Sequence, residues 1–282
     1  MNKIAAVVVT FNRLSLLKES IESLHNQTKK DFDIIVVNNG STDGTKEWLD
    51  AQENIIVIHQ DNCGGAGGFY TGQKYAYDHG YDWIWMMDDD GYTDSHQLEE
   101  LFNVCIEKQI YFANATVINV EDRETLAFQP EIKYANLNGV VAKQCFAPYN
   151  GTFIHRSVFD KIGFNKKEMF IWGDEVEFTL RARKAGFDVV GVVKAIHYHP
   201  KNIGALVPAF PPFCNIKVVV KPKHFSHHYY RNRGYIEKQY GSWKVRLGSL
   251  LFNSLYFIRK GEFKELIKFY EYYLRGVRNE YS

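Results

Sequence analysis

Three adjacent carboxylates are the sequence feature with the clearest chemical potential. Asp88, Asp89 and Asp90 directly follow residues 83–87, an apolar run typical of a buried strand. Neighbouring carboxylates repel one another, which raises their pKa values and costs stability unless a cation lies nearby. Because Mg²⁺ and Mn²⁺ prefer oxygen ligands and bridge to substrate phosphates, the pattern predicts a divalent metal site. The alternative is a solvated acidic turn that caps a helix near Ser95.

A glycine run is the second feature. Asn62 precedes it, and its four glycines are Gly64, Gly65, Gly67 and Gly68. Backbone without Cβ atoms can approach an anionic or sugar ligand closely at the start of a helix. The run is not a GxGxxG dinucleotide fingerprint, because position 70 is Tyr and the run follows the third predicted strand. The chain also has no GxxxxGK[ST] sequence. A purely structural turn is the alternative.

An acidic motif, Trp172-Gly173-Asp174-Glu175, opens a predicted helix. Carboxylates at a helix N-terminus usually stabilise the helix as caps. Beside Trp172, either carboxylate could instead deprotonate a hydroxyl nucleophile. The residues alone leave both roles open.

Two histidines, His197 and His199, follow a strand predicted at residues 187–193. Histidine is a common metal ligand and also a common buried residue. Because the two lie on an extended segment, we expect them to point to opposite sides, so that at most one of them faces a functional site.

A framework of alternating elements must position these residues. The β-branched run Ile4–Thr10 is typical of a strand buried on both faces of a parallel sheet. Further strands are predicted at Asp33–Asn38 and at residues 55–60 and 81–87, with amphipathic helices between them. This alternation predicts a doubly wound α/β sheet, in which ligands bind beyond the carboxyl ends of the strands. The aspartates and the glycine run both lie at such ends.

The pattern is less regular beyond residue 120. We interpret residues 121–146 as an inserted hairpin, residues 151–155 as a short strand and residues 174–185 as a helix.

The composition is that of an ordinary globular protein, with 282 residues of which 45% are hydrophobic and 24% are charged. These values exclude a disordered, collagen-like or disulfide-scaffold protein. Cys63, Cys105, Cys145 and Cys214 lie far apart, which argues against zinc pairs and secreted disulfides and favours a reducing cytosol. The N-terminus lacks the features of a signal peptide. The longest later apolar stretch, residues 247–258, is shorter than the roughly 20 residues that span a bilayer, so we expect no transmembrane helix.

The near-zero net charge hides an uneven distribution. Residues 214–282 carry 14 Lys+Arg and 5 Asp+Glu, a balance of +9, whereas residues 1–213 have a balance of −8. The basic region is rich in aromatic residues, as at residues 229–233, and this combination is typical of segments that bind anionic lipid. Packing on the rest of the chain or on a second subunit is the alternative. Apolar residues at helical spacing over residues 247–255 argue against a nucleic-acid interface.

The order of the motifs leads to a family. VVVTFNR, VVNNGSTDGT, GGAGG, MDDDG, WGDEVEFTLRA and HYHP together resemble the family-two glycosyltransferases with a GT-A fold, over residues 1–200. The resemblance implies a Rossmann-like, mainly parallel sheet flanked by helices that binds a nucleotide sugar, followed by a helical, basic, aromatic tail. The sequence is most similar to bacterial galactofuranosyl and rhamnosyl transferases of cell-surface polysaccharide synthesis. GGAGGF together with DDD resembles the galactofuranosyl branch more closely.

The resemblance also implies roles for single residues in binding the donor. Asn39 matches a position that helps to hold the nucleotide base. The positions matched to the donor site are Thr10, Asn12, Arg13, Asn39, Asn62, Gly64, Gly65, Gly67, Gly68, Asp88 and Asp89.

The implied metal ligands are Asp88 and Asp90, joined by one of His197 and His199, and the sequence does not distinguish the two histidines. Trp172 and Gly173 are implied to contact the acceptor. The family's acidic motif usually ends in Asp where this chain has Glu175, preceded by Asp174. The implied catalytic base is therefore either of these two residues.

The implied reaction is an inverting glycosyl transfer, with UDP-galactofuranose as the favoured donor and dTDP-rhamnose next. Mn²⁺ or Mg²⁺ would stabilise the departing diphosphate while Asp174 or Glu175 takes the proton of a saccharide or lipid-linked saccharide hydroxyl, without a covalent intermediate. We predict a catalytic domain at residues 1–213 and a helical region at residues 214–282 that docks on a membrane or a second copy. The expected location is the cytoplasm, at the inner face of the membrane.

Two other classes of protein are alternatives. An inactive carbohydrate-binding or scaffolding subunit with the same fold is expected to lack the three aspartates or the acidic pair, and this chain has both. A sugar-phosphate nucleotidyltransferase needs Lys or Arg beside the glycine run to bind the attacked triphosphate. Residues 61–72 contain neither.

Overall fold

The structure is a computed structural model that describes residues 2–142, 149–201 and 205–281. The chain divides into two compact units. Unit 1 comprises Met1–Lys167 and Phe178–Asn202, and unit 2 comprises Glu168–Glu177 and Ile203–Ser282. The predicted boundary lies at residue 213, whereas in this division residues 203–213 and the acidic motif both group with the C-terminal region.

Unit 1 alternates strands and helices along most of its length. Its strands are β1 (Ile4–Thr10), β2 (Asp33–Asn38), β3 (Ile55–His59), β4 (Trp83–Asp88), β5 (Tyr92–Thr93), β6 (Phe112–Asn119), β7 (Val141–Ala142), β8 (Asn150–His155) and β9 (Val189–His199). Its helices are α1 (Leu14–His25), α2 (Thr45–Asp50), α3 (Gly64–Asp78), α4 (Gln97–Lys108) and α5 (Arg156–Ile162). Helix α6 (Asp174–Lys184) begins in the unit 2 segment of the chain and ends in that of unit 1.

The described strands of unit 1 form a nine-stranded sheet in the order β3-β2-β1-β4-β8-β6-β9-β5, with β7 paired to β9. Strands β3, β2, β1 and β4 are parallel to one another, as are β6 and β9, and β8 runs antiparallel between β4 and β6. The carboxyl ends of β1, β2 and β4 therefore lie at one edge of the sheet. This edge holds Thr10, Asn38 and Asp88.

Helices cover both faces of the sheet. The even-numbered residues 4–8 of β1 pack with apolar residues of α1, α2 and α4, whereas the odd-numbered residues 5–9 pack with those of α3 and α5. Successive side chains of a strand point to opposite faces, so a strand covered on both faces needs an apolar residue at every position. This explains the continuous apolar run of β1 and confirms the predicted α/β architecture.

Two of the predicted elements differ from the structure, and a third is defined more closely by it. The glycine run, predicted at the start of a helix, forms the first turns of α3 itself. Strand β9 continues to His199, because residues 196–199 pair with β6. The region of the predicted hairpin contains the isolated bridges Ile118–Leu126 and Thr125–Lys133 and the short strand β7, while residues 143–146 of that prediction lie outside the described residues.

Unit 2 contains the antiparallel strands β10 (Ala205–Phe210) and β11 (Cys214–Val220) and the helices α7 (Ser226–Gln239), α8 (Trp243–Lys260) and α9 (Phe263–Val277). Its core is largely aromatic and includes Tyr230, Phe257, Phe269 and Tyr273. Helices α7 and α9 approach closely at Gly276, where a Cβ atom would overlap the carbonyl oxygen of Arg231.

The structure changes the interpretation of residues 229–233. Tyr230, Arg231 and Asn232 are buried in unit 2, so this stretch does not provide the exposed docking surface that its composition predicts. Among the described residues, no helix has both the length and the apolar character needed to cross a membrane.

Candidate donor site and acidic motif

The aspartates lie where the strand order predicts, at the carboxyl edge of the sheet. Val9 of β1 pairs with Asp88 of β4, so the chain segments that follow these two strands are neighbours. Asp89 is 3% exposed, and its carboxylate accepts hydrogen bonds from Thr10 Oγ1 at 2.6 Å and Arg13 Nη1 at 3.1 Å. Burial raises the pKa of Asp89, although the bonds from Thr10 and Arg13 act to lower it. Asp89 thus ties the ends of β1 and β4 together.

The carboxylate of Asp90 has two nitrogen-bearing side chains as partners. Arg13 Nη1 donates to Asp90 Oδ2 at 2.6 Å, and His199 Nε2 lies 3.1 Å from Asp90 Oδ1. Burial acts to raise the pKa of Asp90, but the hydrogen bond and charge of His199 and the charge of Arg13 outweigh it and lower the pKa to about 2. The sequence predicts a metal because the three carboxylates repel one another, and Arg13 relieves part of that repulsion.

His197 and His199 lie on the same side of β9, because alternate residues of a strand share a face. The expectation that at most one of them faces the site is wrong in this respect. Both are buried, and a Cβ atom on Gly91, directly after Asp90, would overlap His197 Nε2. Burial, together with the charge of His199, lowers the pKa of His197 to about 3. Neither ring nitrogen of His197 has a hydrogen-bond partner among the described residues.

Asp90 and His199 fit a divalent cation. His199 Nδ1 lies 2.6 Å from the carbonyl oxygen of Pro200, which can only accept, so Nδ1 carries the hydrogen. Nε2 is then the ring nitrogen that faces Asp90 Oδ1. No group of three metal-ligating side chains occurs among the described residues. Mg²⁺ commonly binds through one or two carboxylates plus water and substrate phosphates, so the carboxylate of Asp90 is compatible with such an ion even where few protein ligands surround it.

Asn12 and Asn39 organise the loops at this edge. Asn12 has φ of 53° and accepts a hydrogen bond from Thr42 N at 2.7 Å, which fixes the loop after β2. The buried Asn39 accepts from Cys63 N at 3.2 Å and donates to the carbonyl oxygen of Gly64 at 3.0 Å. Gln60, a residue that no sequence motif singles out, donates from Nε2 to the side-chain oxygen Oδ1 of Asn39 at 2.8 Å. Contact of Asn39 with a nucleotide base stays a prediction.

The glycine run serves packing as well as access. Asn62 Oδ1 accepts from Gly64 N at 2.9 Å and so supports the first turn of α3. A Cβ atom on Gly68 would lie 2.5 Å from Val9 Cγ1, and one on Gly67 would overlap Cys63 Sγ. Gly65 differs, because its Cβ position has no heavy atom within 4 Å. Gly65 therefore has room beside it for a ligand, unlike Gly67 and Gly68.

The acidic motif is part of unit 2, and contacts within that unit hold it in position. Glu175 Oε2 accepts from Gly173 N at 3.1 Å, which is the capping contact expected at a helix start, and Asp174 is 5% exposed. Phe170, Trp172 and Gly173 have φ of 64°, 62° and 105°. Backbone of this kind is costly for Phe and Trp and persists only where the surroundings hold it.

Asn232 of α7 supplies that support. Its side-chain amide nitrogen donates to the carbonyl oxygens of Met169, Ile171 and Trp172 at 2.9, 3.0 and 2.9 Å. This role is not predictable from the sequence, because the partners are 60 or more residues away along the chain. The only sequence signal is a polar residue within the aromatic stretch 229–233.

Trp172 lies in a cationic and aromatic setting. Lys221 Nζ is 4.6 Å from the centre of the Trp172 ring, and Phe225 meets that ring edge-on at 6.4 Å. Burial lowers the pKa of Lys221, although the charge of Glu175 acts to raise it. A flat indole beside a lysine is suited to bind a polar ligand with an apolar face, such as a sugar.

The fold and the carboxylate edge define a class of protein, a glycosyltransferase with a GT-A fold. The model of the family "Glycosyl transferase family 2" matches residues 5–163, and the chain belongs to this family. Galactofuranosyltransferase GlfT1 of Mycobacterium tuberculosis is 30% identical over 261 residues, which cover 85% of this chain and 84% of that protein. The resemblance found in the motifs is thereby confirmed.

Solved structures agree on the fold. Staphylococcus aureus TarS has a TM-score of 0.58 at 16% identity, and the match covers 90% of this chain and 42% of that longer chain. A TarS form of residues 1–349 was solved in complex with UDP. The mannosyltransferase PcManGT from Pyrobaculum calidifontis, in complex with GDP-Man and Mn²⁺, has a TM-score of 0.54 at 13% identity, over 95% of this chain and 73% of that chain.

Proposed function

We propose that the chain is an inverting galactofuranosyltransferase that uses UDP-galactofuranose and a saccharide or lipid-linked saccharide acceptor. The observation that supports this choice of donor is the 30% identity to galactofuranosyltransferase GlfT1 over 85% of the chain. dTDP-rhamnose is the next donor to test. The polar edge at Thr10, Arg13 and Asp88–Asp90 supports a site for a nucleotide diphosphate in unit 1.

The chemistry requires stabilisation of the departing diphosphate. We propose that Asp90 and His199, with Asp88 at the end of β4, hold Mn²⁺ or Mg²⁺, which when bound neutralises the charge of the leaving group. Arg13 is half exposed and already bonded to Asp90, so it can turn toward a phosphate from its present position. Asn12 would hold the loop that borders the donor.

The acceptor hydroxyl must lose a proton as the new bond forms. We assign this role to Asp174 or Glu175 of the acidic motif, with Trp172 and Gly173 contacting the acceptor. The aromatic and cationic setting of Trp172 supports sugar binding there. Attack in line with the departing diphosphate inverts the anomeric centre.

Titration calorimetry with UDP and with dTDP, each with and without Mn²⁺, tests the donor site. We expect metal-dependent binding of UDP that disappears in Asp90→Ala. Asp78→Ala is the matched control, since it removes a carboxylate of an exposed ion pair with Lys74. If neither nucleotide binds under any condition, the proposal fails and a non-catalytic subunit becomes the better account.

A further inference from the structure

Helix α8 carries an apolar stripe on the side that faces solvent. Leu247, Leu251 and Ile258 are each at least half exposed and recur at spacings of four and seven residues. Such spacings place side chains on one face of a helix. Ser249 and Asn253, on the opposite face, are buried. Helix α8 therefore has two distinct faces, one that packs into unit 2 and a second, apolar one that is exposed.

Helix α9 repeats this arrangement. Phe263, Ile267, Tyr270 and Leu274 follow one another at spacings of four, three and four, and all four are exposed, with Ile267 at 68%. The opposite face contains the fully buried Phe269. Two consecutive helices thus each present a second apolar face to solvent.

The two stripes are neighbours. Ser254 of α8 and Tyr270 of α9 are linked by a hydrogen bond of 2.8 Å between their hydroxyl oxygens. Contiguous exposed apolar surface usually marks a site of protein or membrane interaction. The combined surface, here called the α8–α9 face, is formed by Leu247, Leu251, Ile258, Phe263, Ile267 and Leu274.

The two helices of the α8–α9 face carry an excess of positive charge. Residues 243–278 contain eight Lys+Arg and three Asp+Glu. Two of these acids bond elsewhere in unit 2, Glu262 to Lys223 and Glu265 to Tyr230. The exposed Lys260 and Lys264, which flank the turn between the helices, form no ion pair with any residue that the structure describes.

The exposed apolar residues together with the positive charge distinguish between two possible partners of the face, a second copy of the chain and a lipid surface. A symmetric dimer through the face would bring like charges of both copies together, which is unfavourable. An anionic lipid surface instead accepts the apolar side chains and attracts the lysines. We propose that the α8–α9 face binds the surface of membranes that contain anionic phospholipid. Such binding keeps the enzyme beside a lipid-linked acceptor, and in that respect the inference rests on the proposed function.

Co-sedimentation with vesicles at low salt tests the inference. We expect the protein to bind vesicles of phosphatidylcholine mixed with phosphatidylglycerol, and to bind pure phosphatidylcholine vesicles much more weakly. The double variant Leu251→Gln/Ile267→Gln should lose at least about tenfold in vesicle binding, because two apolar side chains no longer enter the lipid. Lys260→Gln/Lys264→Gln should lose most of the preference for anionic vesicles.

Matched controls separate this inference from other outcomes. Ile106→Gln removes a similarly exposed apolar residue of α4 and should leave vesicle binding unchanged. UDP binding by each variant reports on unit 1, so loss of vesicle binding with intact UDP binding assigns the effect to the α8–α9 face. Equal binding of the double variant and the wild type overturns the inference. So does a wild-type dimer, seen by sedimentation, that the double variant abolishes while neither protein binds vesicles.

Discussion

Substitutions at Gly68 and Gly65 can show which glycines of the run are needed for helix packing and which leave room for a ligand. The sequence assigns Gly68 to the donor site, whereas in the structure its missing Cβ lets α3 lie against β1. A Cβ added there would meet Val9 Cγ1 at 2.5 Å, and Val9 is buried and branched at Cβ, so it has little freedom to turn away. Gly65, three residues earlier, has open space at its Cβ position. Gly68→Ala and Gly65→Ala therefore add the same methyl group, at a crowded position in the first case and at an open position in the second.

The expected magnitudes follow from two opposing effects. Overpacking a filled core costs about 1–3 kcal/mol, and replacing Gly by Ala within a helix gains about 1 kcal/mol. Gly68→Ala should thus destabilise the protein by about 1 kcal/mol, because the packing cost exceeds the helix gain. Gly65→Ala should stabilise it by up to about 1 kcal/mol. The two variants should differ by about 2 kcal/mol, which corresponds to roughly 3 °C in Tm for a chain of this length.

Thermal unfolding of the two variants measures this difference, and UDP calorimetry adds a functional readout. We expect Gly68→Ala to have the lower Tm, and Gly65→Ala to bind UDP several-fold more weakly than wild type. A Tm for Gly68→Ala equal to or above that of Gly65→Ala would refute the assignment of Gly68 to packing against Val9.

Two further substitutions test the supports of the site. Asn232→Ala removes the donor to three backbone carbonyls, so we expect a loss of about 1–3 kcal/mol in stability and a lower kcat with UDP binding unchanged; a wild-type kcat would contradict this role. Asp89→Asn removes the charge that Arg13 and Thr10 bind inside the protein, and thermal unfolding should show a loss of about 1–3 kcal/mol. An unchanged Tm for Asp89→Asn would show that this carboxylate does not tie β1 to β4.

The sequence predicts the framework of unit 1 well, for a physical reason. Strands β1 and β2 have the predicted bounds because every residue in them except Asp33 is buried, and each strand ends one residue after its apolar run. The carboxylates at Asp88–Asp90 were also placed correctly, since the ends of parallel strands share an edge. Local signals of this kind are readable from a single sequence.

Long-range contacts could not be predicted in the same way. Arg13 bonds Asp89 and Asp90 across more than 70 residues, and Asn232 supports a segment 60 residues earlier. Strand β9 extends past its predicted end because β6 provides a hydrogen-bonding partner there. Each of these features depends on which elements become neighbours, and residue spacing alone does not contain that information.

The most direct test of the account is the product formed from UDP-galactofuranose. The purified chain would be incubated with this donor, Mn²⁺ and a synthetic saccharide acceptor, and the anomeric configuration of the product read by NMR, with dTDP-rhamnose and Asp90→Ala as comparisons. The account predicts a galactofuranoside of inverted configuration from the wild type, and little product from the variant or from dTDP-rhamnose. A product of retained configuration, or transfer of rhamnose in preference to galactofuranose, would contradict it.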